Sequence, residues 1–92
     1  MRKRIGQPVK HAGQRALNQL EPVLVLLRNL PGLKERKRGL FDHAGRAFLH
    51  FHEDPAGFFA DLRVGDDFVR LPVNSKREIA MLVRQARRAV EA

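Results

Sequence analysis

The chain contains no cysteine, no tryptophan and no tyrosine. Without thiols it can form no disulfide framework, no thiolate zinc site, no iron–sulfur cluster and no cysteine nucleophile. A cytoplasmic location is the expectation that fits this usage. Long apolar runs are also missing. The longest, "VLVLL" at 23–27, is far short of the roughly 20 residues of a membrane span. The basic start "MRKRIGQPVKHAGQR" leads into no apolar segment of the secretory kind, so neither a membrane span nor a leader is expected. Serine occurs only as Ser75. No glycine-rich loop precedes a helix, and Asp54, Asp66 and Asp67 sit where turns favour aspartate. Glu53 and Asp54 are adjacent and would point to opposite faces of a strand. The expectation is therefore a protein that is not an enzyme.

What is abundant is positive charge, and it is unevenly placed. The formal net charge is +8. Residues 1–38 contribute +8, residues 39–74 contribute −3, and residues 75–92 contribute +3. Both ends are basic around a mildly acidic middle.

Residues 1–13 are basic and poor in apolar side chains, which predicts a flexible basic arm before a single domain at 14–92. Ala16, Leu17, Leu20, Val23, Leu24, Leu27 and Leu30 recur at helical spacing. Pro22 suits a first turn, so the helix either begins at Glu21 or kinks there, and Pro31-Gly32 ends it. "LKERKRG" reads as a charged connector. From Gly39 to Val73 the period becomes two. Pairing Glu53 with Phe58 and Val64 with Asp67 places Ala47, Leu49, Phe51, Phe58, Ala60, Leu62, Val64, Val69, Leu71 and Val73 on one apolar face. A one-residue slip would bury His50 and His52 there instead, so the register is well specified. An earlier strand near 39–43 would add Leu40 to that face and Phe41 to the other. "SKRE" at 75–78 is a capping box, and Ile79, Leu82, Val83, Ala86 and Val90 form the stripe of a final helix. The expected architecture is α+β: a two-layer sandwich in which an antiparallel meander of three or four strands carries an N-terminal and a C-terminal helix on one face.

The opposite face would hold Phe48, His50, His52, Phe59, Asp61, Arg63, Phe68 and Arg70. Three readings follow. His50 and His52 project to one side of a strand with Asp61 nearby, a donor set suited to zinc, and His43 could approach from the strand before. Phenylalanines among arginines resemble a stacking platform for nucleic acid. Several outward phenylalanines also suit a homodimer interface. A nucleic acid or an acidic protein could instead be gripped by Arg2, Lys3, Arg4 and Lys10 of the arm and by Lys76, Arg77, Arg84, Arg87 and Arg88 of the final helix. A binding module of this last kind, without enzymatic activity, is the leading expectation. Metal binding and homodimerisation are the alternatives.

The run "GRAFLHFHEDPAGFFADLR" resembles the central hairpin of small bacterial proteins of unassigned function. The resemblance is limited to this hairpin. It supports the helix–meander–helix layout and implies no activity.

Overall fold

A computed structural model describes residues 10–92. Arg2, Lys3 and Arg4 lie outside the described residues. The first helical stretch is broken at Leu20 into α1 (Gln14–Gln19) and α2 (Glu21–Arg28), with Pro22 in the first turn of α2. Proline lacks an N–H and so interrupts the ladder there. The chain stays close to helical across the break, because the Val23 and Leu24 amides both donate to Leu20 O.

The strands are β1 (Lys10–His11), β2 (Leu33–Lys37), β3 (Leu40–His43), β4 (Arg46–Asp54), β5 (Gly57–Val64) and β6 (Asp67–Pro72). All pairs are antiparallel, and β2 to β6 follow one another in sequence order as a five-stranded meander. The two-residue β1 lies against the end of β4 that β3 does not reach, pairing His11 with His52. The expected three or four strands are thus too few.

Two sequence features hid the additional strands. β2 occupies the charged "LKERK" connector. Its period-two pattern is obscured because Glu35 takes a half-buried position, where its carboxylate accepts from the Arg28 guanidinium and from Gly39 N. β1 falls within the stretch assigned to the arm, so folded structure begins before residue 14. The chain just after it is held by Ala12 N donating to Phe51 O at 3.1 Å and Gly13 N donating to Glu53 Oε2 at 2.8 Å.

The central register follows the expectation: Glu53 pairs with Phe58, Phe51 with Ala60, Leu49 with Leu62, Leu62 with Val69, and Val64 with Asp67. At the first turn Gly57 has φ +131°, and a Cβ there would lie 2.7 Å from Asn74 Oδ1. Asn74 needs that space, because it clasps both Phe58 N and Phe58 O.

The β3–β4 pair departs from the expectation. Phe41 pairs with Leu49 and Asp42 with Ala47, so Phe48 is an extra residue in β4. Such a bulge breaks the alternation of faces. Phe48 consequently turns inward and is 3% exposed, and Phe41 rather than Leu40 joins the apolar face. The assignment of Phe48 to the outer face, and of Phe41 beside it, is therefore corrected.

The last helix, α3 (Lys76–Glu91), is capped by Ser75 Oγ accepting from Glu78 N at 3.1 Å. The Glu78 carboxylate accepts from Asn74 N, one residue before the cap. Leu24 and Leu27 of α2, Leu82 and Ala86 of α3, and Phe41, Phe48, Leu49, Phe51, Ala60 and Leu62 of the sheet belong to one buried cluster. Among the described residues, no helix is long and apolar enough to cross a membrane.

Candidate metal centre

Alternation along β4 sends Leu49 and Phe51 into the core and His50 and His52 to the other face. The hydrophobic demand of the core therefore aims both imidazoles the same way. Asp61 of β5 pairs with His50, Arg70 of β6 pairs with Asp61, and His11 of β1 pairs with His52. Four strands thus deliver one cluster. His52 and Asp61 are 7% and 8% exposed, the only buried polar residues among those described. Buried polar groups are expensive without partners, so their contacts carry information.

The His52 Nε2 atom faces two groups at once. It lies 2.9 Å from Asp61 Oδ2 and 3.1 Å from His50 Nδ1. The carboxylate reaches it diagonally across the ladder, rather than reaching its direct neighbour His50. Arg70 holds the same carboxylate through a fork, Nε to Oδ1 at 2.7 Å and Nη2 to Oδ2 at 2.9 Å. His52 Nδ1 is buried and without a hydrogen-bond partner among the described residues.

No tautomer of His52 satisfies every atom. A proton on Nε2 must serve two acceptors and leaves Nδ1 unpaired. A proton on Nδ1 is buried without an acceptor and leaves the Nε2 lone pair facing a carboxylate.

His11 completes the cluster. One nitrogen from each of His11, His50 and His52 lies within 4.8 Å of the others. The His11 ring centroid is 5.0 Å from that of His52 and 5.6 Å from that of His50. Local sequence gave no sign of this, since a histidine in a basic segment joins the site only through long-range strand pairing. His43 takes no part: its Nδ1 donates to Gly32 O at 2.9 Å and its ring packs on Phe48.

The other outer-face candidates surround the cluster. Phe68 is 40% exposed, sits 5.1 Å from the His50 ring and lies 4.6 Å below the Arg63 guanidinium. Phe59 is half-buried opposite His52. With Phe41 and Phe48 in the core, the outward aromatic surface is about half of that expected.

The basic candidates lie elsewhere. Lys10 enters β1 through its backbone. Lys76, Arg77, Arg84, Arg87 and Arg88 are all exposed on α3.

Electrostatics sets a pH window for the cluster. Burial pushes the His50 imidazole below its ordinary value, and the neighbouring His52 pushes in the same direction. Burial alone would raise the Asp61 carboxyl, but the Arg70 hydrogen bond and His52 outweigh it and hold it below the usual aspartate value. The unfolded chain therefore takes up a proton at His50 more readily than the folded one. The stability linked to His50 is complete above about pH 6.5 and declines as the pH falls toward the depressed folded value. Any metal ion held by these imidazoles would bind more weakly in the same window, because ligating imidazoles must be unprotonated. Urea-unfolding midpoints measured from pH 8 to pH 5 should fall, and His50→Gln should flatten that slope. An equal slope in the variant would remove His50 as its source.

No family model, curated protein or solved structure matches the chain, in keeping with a resemblance that reaches no defined family.

Proposed function

We propose that the protein binds a divalent transition-metal ion, zinc foremost, through His11, His50 and His52. The observation that carries this reading is the convergence of three imidazole nitrogens within 4.8 Å of one another. Zinc–nitrogen bonds of about 2.0–2.1 Å place two ligands of a tetrahedron roughly 3.3 Å apart. The 3.1 Å approach of His50 Nδ1 to His52 Nε2 is already close to that spacing.

An ion is attracted by the same lone pairs that compete for a single proton without it. Asp61, fixed by Arg70 and 2.9 Å from the same His52 Nε2 atom, is placed to supply an oxygen as fourth ligand. Imidazole donors suit zinc, cobalt, nickel and copper(II) better than calcium or magnesium. The helices α2 and α3 are read as backing the apolar side of the sheet, where their buried residues share one cluster with it. The histidine face is then left for the ion.

Titration of the chain with zinc, followed by calorimetry and by the histidine ring resonances, should give one saturable site. The His11, His50 and His52 signals should move together while His43 stays still. An Asp61→Asn variant should bind zinc more weakly, because a neutral amide oxygen is the poorer ligand, and His50→Ala, which removes a nitrogen ligand, at least as weakly. His43→Ala should bind as the parent chain does. Unmoved ring signals at millimolar zinc would end the proposal.

A further inference from the structure

The solvent face of α3 is independent of the histidine cluster and has its own chemistry. At 3.6 residues per turn, Lys76, Arg77, Arg84, Arg87 and Arg88 fall within about 120° of arc. That arc is centred about 130° around the helix from the stripe formed by Ile79, Leu82, Val83, Ala86 and Val90, which packs into the core. All five cations are exposed. None makes an ion pair among the described residues, whereas Arg28, Arg36, Arg38 and Arg70 are each tied to a carboxylate. Glu78 is turned to Asn74 N, so Glu91 is the only acidic residue within the arc. The cations run from Lys76 to Arg88, about 18 Å along the helix axis.

We infer that the exposed face of α3 docks on the phosphate backbone of double-stranded nucleic acid. Three observations select this partner. The face is charged on one side only and is held rigid by the core, as a strip that must follow a line of phosphates requires. The helix contains no aromatic residue, so it offers no ring on which the bases of a single strand could stack. It also presents no Asn on the cationic arc, and its one Gln, Gln85, is half-buried. Base reading by amide side chains is therefore absent, and with the five cations assigned to phosphates the binding should vary little with sequence.

The test is fluorescence anisotropy of a labelled 20-base-pair DNA duplex with the full chain, in chelator so that the histidine site contributes nothing. The logarithm of the binding constant should fall linearly with the logarithm of salt, with a slope of roughly −0.9 for each phosphate neutralised. Four contacts by α3 would weaken binding roughly 150-fold between 50 and 200 mM salt. The Arg84→Gln/Arg88→Gln variant, whose two side chains are exposed, should keep its circular dichroism and show a slope shallower by about 1.8. An unrelated duplex should bind equally well, and a single strand more weakly. An unchanged slope in the variant would overturn the assignment to α3. Single-strand binding as tight as duplex binding would overturn the choice of partner. Equal displacement by a polyglutamate peptide at matched charge would do so too, and would point to acidic proteins instead.

Discussion

Zinc at one hundred times its dissociation constant is expected to raise the melting temperature by roughly 10–20 °C. Binding confined to the folded state adds about 2.7 kcal/mol at that concentration. Each kcal/mol moves the midpoint of a domain of this size by about 4–8 °C. The proposed ligands come from β1 and β4, which are far apart in the sequence, so the unfolded chain offers no assembled three-histidine site. Differential scanning calorimetry over a zinc series is the measurement. The midpoint should climb with the logarithm of free zinc, return to its starting value in chelator, and stay flat in His50→Ala. A midpoint that zinc leaves in place would separate the cluster from metal binding altogether.

Replacing Phe51 by alanine is expected to cost about 3–5 kcal/mol, the range for removing a buried phenylalanine. That is a large share of the roughly 5–15 kcal/mol available to a domain. Phe51 is 2% exposed and pairs with Ala60. It sits between His50 and His52, and its carbonyl accepts from Ala12 N, which ties down the chain just after β1. One side chain therefore anchors the strand that carries two of the proposed ligands, while its backbone holds the segment that carries the third. Phe51→Ala should lower the urea midpoint and weaken zinc binding together. Phe51→Leu, which retains most of the apolar volume, should cost far less in both. Loss of stability with unchanged zinc affinity per folded molecule would show that the site does not depend on this anchor.

Much of the sheet could be read from the sequence because its two faces differ so sharply. Leu49, Phe51, Ala60 and Leu62 admit one register, and that register alone places His50, His52 and Asp61 together. The capped start of α3 was equally legible, since Ser75 and Glu78 act within a few residues of one another. What escaped was non-local or aperiodic. β2 was masked by Glu35, whose inward carboxylate makes sense only once Arg28 is seen beside it. Phe48 looked outward until the bulge in β4 turned it inward, and one inserted residue leaves no mark on composition. His11 was the largest omission. Two residues of backbone pairing have no periodicity, so the third imidazole of the cluster was hidden inside a segment that read only as basic.

The position of β1 has a consequence for chain topology. His11 is separated from His50 and His52 by roughly 40 residues of sequence, and the intervening loop contains both of the first helices and two strands. An ion held by all three would close that loop as a covalent cross-link does. For a permanent link of this span the chain-entropy estimate is about 4 kcal/mol. A protein without a single cysteine would thereby possess a removable counterpart of a disulfide, opened by protons or chelators rather than by reductants.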